Sequence, residues 1–241
     1  MWTIYHKEIN SFLNSLIAYV VIGVFLTGIG LLTWVFESNV LDYGFASLET
    51  LFALGPYMFM FLVPAITMKA FAEEKKTGTI ELLFTRPFSD WQVIMGKYLA
   101  SFTLVFFAVL PTLVYYYSVY QLGNPVGNLD TPGIIGSYIG LLLLGGVFAA
   151  IGVLSSGLTN NQIVAFIVAV SLSYLFYGGL ESIAALNVWG DSSLVIQKFG
   201  IIYHYNSLSK GLLDSRDIIY FLSVIAVLLL LTNLKLNSRK W

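Results

Sequence analysis

The stretch FAEEKKTGTIELLFTRPFSDWQVIMGKYLA, Phe71 to Ala100, decides how the chain is read. It is the only long polar interval between apolar segments that carries a dense cluster of charges of both signs. Lys69, Lys75, Lys76, Arg86 and Lys97, five of the chain's twelve Lys and Arg, lie in or beside it. Two short helices fit. In the first, after the flexible Thr77-Gly78-Thr79, Ile80, Leu83 and Phe84 share one face with Glu81 opposite, and Pro87 stops the helix. The second opens on Ser89-Asp90-Trp91-Gln92, the S-x-x-Q pattern of a capping box. It runs through Val93, Ile94 and Lys97 into the next apolar segment, with Trp91 and Tyr98 near the interface. A short amphipathic helix joined rigidly to a span can pass a push from a partner into the bilayer. The same residues also fit an ordinary charged loop that only sets topology.

What surrounds this interval is apolar. Of 241 residues, 58% are hydrophobic and 10% charged, where a soluble domain carries about 25% charged residues. The composition is that of an all-α polytopic membrane protein with little room for a soluble domain. A net charge of −1 gives nucleic acid no electrostatic footprint. With no cysteine, disulfides and thiolate metal sites are excluded. A span needs about 20 mostly apolar residues, and six segments qualify: 16–36, 51–68, 98–120, 134–158, 163–180 and 218–234. The first is long enough to be a retained anchor and not a cleaved leader.

Ahead of the first span, Trp2, Tyr5, Ile9, Phe12, Leu13 and Leu16 recur at helical spacing, with Thr3, His6, Lys7, Asn10 and Asn14 on the other side. This suits a helix over residues 1–15 lying in the headgroup plane, although a plain extension of the first span also fits. With the N-terminus inside, the inner segments hold Lys7, Lys69, Lys75, Lys76, Arg86, Lys97, Lys235, Arg239 and Lys240. The outer ones hold only Lys198, Lys210 and Arg216. The positive-inside rule therefore puts both termini and the 71–97 region in the cytoplasm.

Pro56 and Pro64 in the second span and Pro111 in the third read as kinks whose freed carbonyls neighbours satisfy. Gly145, Gly146, Gly152 and Gly157 thin the fourth span for close packing. The short turn Thr159 to Gln162 makes spans four and five antiparallel neighbours. In the largest outer segment, 181–217, Ser182–Val188 and Ser193–Ile202 read as short helices on the outer leaflet, and Ser215 as the N-cap of the last span. Glu37 and Glu181 sit at outer span ends and Lys69 at an inner one. Span interiors so poor in charge argue against channels and ion-coupled carriers. The chain has no G-x-x-x-x-G-K-[ST], H-E-x-x-H or G-x-S-x-G. His6 and His204, on opposite sides, read as isolated surface residues.

The central stretch resembles the signature of ABC-2 type permeases, E-x-x-x-G-T-x-E-x-L-x-x-x-P-x-S/T, on Glu74, Gly78, Thr79, Glu81, Leu83, Pro87 and Ser89. Lys7-Glu8 with Ser15 to Tyr19 resembles the family's K-E…S-P-x-A-Y opening, with Leu16 where proline is usual. His204 to Ser207 and Lys210 to Asp217 resemble the stretch before its sixth span. More narrowly, the chain looks like the gliding motility-associated permeases of Bacteroidota.

The resemblance implies a six-span subunit of the bacterial cytoplasmic membrane with no ATPase site or cofactor of its own. It would pair with a second permease, identical or related, and with cytosolic ABC ATPases that bind ATP and magnesium. Their docking region would be Glu73, Glu74, Lys75, Lys76, Gly78, Thr79, Ile80, Glu81, Leu83 and Phe84, beside the N-terminal helix. The outer helices would gate a path or meet a periplasmic partner. An ATP-driven exporter is the reading this implies. A structural or signalling subunit, moving a partner complex without transport, fits the same features. No residue identifies a substrate.

Overall fold

Long apolar runs can satisfy their backbone in a bilayer as helices, and the computed structural model has helices and no strand among its described residues. These are 1–36, 39–42, 44, 46–84, 89–186, 193–211 and 213–238, without the side chains of 82–84. Glu37, Arg86, Pro87, Val188, Arg239 and Lys240, on which the sequence reading drew, lie outside them, as do the side chains of Leu83 and Phe84.

Six helical stretches are long and apolar enough to cross a membrane: Leu16–Trp34, Glu49–Lys76, Asp90–Leu122, Thr131–Leu158, Gln162–Ala184 and Ser215–Asn237. In chain order the α-helices are α1 (Trp2–Leu13), α2 (Leu16–Trp34), α3 (Glu49–Thr67), α4 (Ala72–Lys76), α5 (Thr79–Phe84) and α6 (Asp90–Val109), followed by α7 (Leu113–Leu122), α8 (Thr131–Leu158), α9 (Gln162–Tyr174), α10 (Leu180–Ala184), α11 (Ser193–Phe199), α12 (Ile201–Ser209) and α13 (Ser215–Asn237). The third starts at Asp90, ahead of the expected residue 98, because both halves of the capping box form: Ser89 Oγ accepts from Gln92 N–H and Gln92 Oε1 from Ser89 N–H, each at 3.3 Å. At Pro111, which has no N–H to donate, α6 passes through a 3₁₀ turn into α7.

α8 is the axis, packed against α3, α6, α9, α12 and α13. Its glycines permit that. A Cβ on Gly152 would lie 1.8 Å from Thr67 Oγ1, one on Gly145 2.5 Å from Val105, and one on Gly136 2.2 Å from the Leu208 carbonyl oxygen. Gly157 is roomier, its nearest neighbour 3.7 Å away.

Two expectations are corrected. The stretch after residue 180 is no separate leaflet helix, because the π-helical turn Leu175–Gly179 carries α9 straight into α10. The last span is capped by Asp214, whose carboxylate accepts from Arg216 N–H at 2.9 Å, with Ser215 as the first helical residue. A carboxylate caps as well as a hydroxyl and adds its charge at the positive helix end. α1 packs against α6 through Ile4 and Glu8, while Trp2 is exposed.

A buried charge cluster as candidate functional site

At the end of the bundle holding both termini, α1, α4 and α6 meet through charge. Lys97 lies on α6 with 2% of its side chain exposed. Its Nζ is 2.8 Å from Glu8 Oε1 of α1 and 3.0 Å from Glu74 Oε1 of α4. Lys7 Nζ donates to the same Glu74 oxygen at 2.9 Å and lies 3.5 Å from Glu8. Two lysines and two carboxylates sum to zero, which is what makes the burial of Lys97 tolerable: an uncompensated buried ion costs several kcal/mol. The Phe71 ring adds its face, its centroid 5.1 Å from Lys97 Nζ. Partial burial pulls the Lys7 pKa down, but Glu74 and Glu8 outweigh it and hold that pKa above the usual lysine value. Glu74 Oε1 serves both lysines, and its Oε2 is buried without a hydrogen-bond partner.

α4 is clamped on its other side by α8. Ser156 Oγ accepts from the N–H groups of Phe71 and Ala72, both at 2.9 Å, and donates to the Met68 carbonyl at 3.0 Å. A hydroxyl offers one donor and two acceptor positions, and all three are used. Lys75 Nζ donates to the Gly157 carbonyl in the last turn of α8, where an ammonium also answers the negative end of the helix dipole. Gly78 follows with φ +71°, a backbone that side chains rarely adopt, and turns the chain into α5.

The residues expected to dock a partner are therefore divided. Glu73, Lys76, Gly78, Thr79 and Glu81 are exposed. Glu74 and Lys75 are turned inward, and Ile80 is buried. Sequence reasoning missed Glu8 as a partner and Lys97 as buried. The available signal was an ammonium inside an apolar helix, which demands a counter-ion.

The opposite end is tied by α12. Pro56 leaves the Phe52 carbonyl without its i+4 donor, and Tyr205 Oη donates to that oxygen at 2.8 Å. His204 is not the isolated surface residue expected: Nδ1 is 2.7 Å from Asp217 Oδ1 and Nε2 is 2.9 Å from the Lys198 carbonyl. Its ring stacks on Tyr220 at 3.8 Å. Each ring nitrogen thus meets an oxygen, which fixes the ring between α11 and α13. Among the described residues, no group of three or more His, Cys, Asp or Glu is placed to hold a metal ion.

A family model described as ABC-2 family transporter protein matches residues 2–232. The chain belongs to the ABC-2 transporter family. No curated protein matches it. ABC-2 permeases typically have no ATPase domain of their own and generally pair with ABC ATPase subunits. Family and six candidate spans together make this a multi-pass membrane protein.

Proposed function

We propose that this ABC-2 chain is the permease subunit of an ATP-driven exporter in a bacterial cytoplasmic membrane, worked by a separate cytosolic ATPase through residues 73–89. The observation that carries this reading is the clamping of α4 between the Lys97 cluster and Ser156 of α8. A push received on the exposed Glu73 and Lys76 of α4, or passed to it from Thr79 and Glu81 of α5, meets a segment held from both sides. It is handed to α1, α6 and α8 together. The distribution of Lys and Arg supports a cytoplasmic position for this end. Closure of two ATPases would then rock two permeases, identical or related, against each other.

Affinity purification in mild detergent with the cognate ATPase tests the reading. Glu81→Lys should lower recovery of the ATPase by about tenfold, consistent with like charges opposed across an interface, with the thermal midpoint of the permease unchanged. Undiminished recovery for Glu81→Lys and Leu83→Asp alike sinks the docking assignment. The likeness to gliding motility-associated permeases supports a second reading, a subunit that moves a partner complex without cargo. ATPase recovery with no ATP-dependent flux in proteoliposomes would favour it.

A further inference from the structure

Two cavities, of about 610 and 730 Å³, share Glu181, Ile202, Asn206 and Lys210 on their walls, so they are halves of one space around α12. Charge is divided unevenly between them. The first half sets Glu181, Asp214 and Asp217 against Lys198, Lys210 and Arg216, three charges of each sign. The second adds Glu49 and Asp130, and there three carboxylates meet Lys210 alone. Asp130 caps the amino end of α8 and Glu49 lies in the first turn of α3, where a helix dipole favours a negative charge and does not remove it. Glu49 and Glu181 make no ion pair among the described residues. The excess of negative charge therefore belongs to the second half, and a cleft lined by one sign raises the local concentration of ions of the other.

The same half is the aromatic one, with Phe52, Tyr57, Tyr177 and Tyr205 on its wall. Tyr177 stands edge-on to Tyr57, with ring centroids 5.7 Å apart and planes at 85°, and crosses Tyr205 at 6.4 Å and 67°. Rings set across one another offer a cation more than one π face, and a cation within about 6 Å of such a face is attracted to it. Tyr177 is 5% exposed, and its hydroxyl makes no hydrogen bond among the described residues. That hydroxyl lies close enough to Glu181 to feel its charge, so an oxygen without a partner stands beside a carboxylate on the cavity wall. Acid excess, aromatic faces and an unmet oxygen suit one kind of ligand, and the volume is ordinary for a ligand site.

We infer that the aromatic half of this space binds an organic ammonium ion carried on an apolar body, with the charge beside Glu181 and the Tyr57 and Tyr177 rings. On the exporter reading proposed above this names the class of cargo. The binding itself does not depend on that reading.

Saturation-transfer NMR titrations of the purified full chain in detergent test this. Benzyltrimethylammonium and benzylammonium are the probes, and benzenesulfonate is the anion of similar size. Both cations should bind at least about tenfold more tightly than the sulfonate. E49Q/E181Q should weaken them about tenfold, since each partly exposed charge pair contributes a factor of a few. Y57L keeps an apolar wall but removes a ring face and should weaken them about threefold. Asp42→Asn, an acid on neither cavity wall, should leave both unchanged. Glu49, Glu181 and Tyr57 are all exposed, and thermal midpoints check that the variants are folded. Tighter binding of benzylammonium than of the quaternary ion assigns its N–H groups to the carboxylates and the Tyr177 hydroxyl. Equal binding leaves charge and ring faces as the means of recognition, and either result supports the site. No saturation by about 10 mM, a range weaker than ordinary specific binding, overturns it. So does equal binding of benzenesulfonate, or cation binding that survives both E49Q/E181Q and Y57L. No ATPase is present in this measurement, so its failure is distinct from failure of the permease reading, which co-purification decides.

Discussion

Lys97 and Glu8, 89 positions apart in sequence, are joined at 2.8 Å in a setting that leaves 2% of the lysine side chain exposed. Removing one side of such a pair strands the other. Lys97→Met should cost about 3 kcal/mol, because Glu8 and Glu74 lose the buried one of their two cations and keep only the exposed Lys7. Lys97→Met combined with Glu8→Gln and Glu74→Gln should recover most of that loss. Thermal midpoints in detergent give the comparison, and equal midpoints for the single and triple variants would show that charge does not govern the site.

Ser156→Ala removes the acceptor for two amides at the start of α4. The expected loss is about 1–3 kcal/mol for buried donors left unpaired. It should be concentrated locally: hydrogen exchange at residues 69–76 should accelerate while α9 is unaffected. Uniform acceleration along the chain would contradict the clamp.

Tyr205 and Pro56 should be coupled. Tyr205→Phe leaves the Phe52 carbonyl without a donor, at a cost of about 1–3 kcal/mol. In a Pro56→Ala background the restored N–H can reach that carbonyl, so the same substitution should cost clearly less. A double-mutant cycle reads the difference directly. A coupling energy near zero would mean that the two residues do not serve the same oxygen.

Gly152→Ala puts a methyl group against Thr67 and should destabilise by about 1–3 kcal/mol, whereas Gly157→Ala, whose methyl group would meet Thr232 at an ordinary contact distance of 3.7 Å, should be tolerated within about 0.5 kcal/mol. Melting curves of the two variants decide it, and matching losses would argue against the α3–α8 contact.

The six long helices were legible because each needs only a run of apolar residues, a one-dimensional signal. The Ser89–Gln92 box and the turn at Gly78 were legible for a similar reason, their chemistry lying within four residues. Pairings such as Lys97 with Glu8, or Tyr205 with Phe52, depend on which helices become neighbours, and no local period carries that. The helical pattern of α1 marked the Trp2 and Ile9 side as the apolar one, yet the protein buries Ile4 and Glu8. For a helix with lipid on one side and protein on the other, apolarity does not tell the two apart. The exposed residues 73, 76 and 81 read as charged in either case. Only the clamping of Glu74 and Lys75 shows which of these charges stay exposed.

Ser156 gives the helix break before α4 a consequence of its own. Its hydroxyl has no hydrogen-bonding position to spare, so water finds no foothold there and the joint between α3 and α4 is sealed to α8 on a single oxygen. At its other end α8 rests at Gly136 against the carbonyl of Leu208 in α12. α8 thus joins the start of α4 at one end to α12 at the other. One serine makes the first contact and one glycine the second, so on the proposed coupling a displacement of α4 would be carried along α8 towards α12.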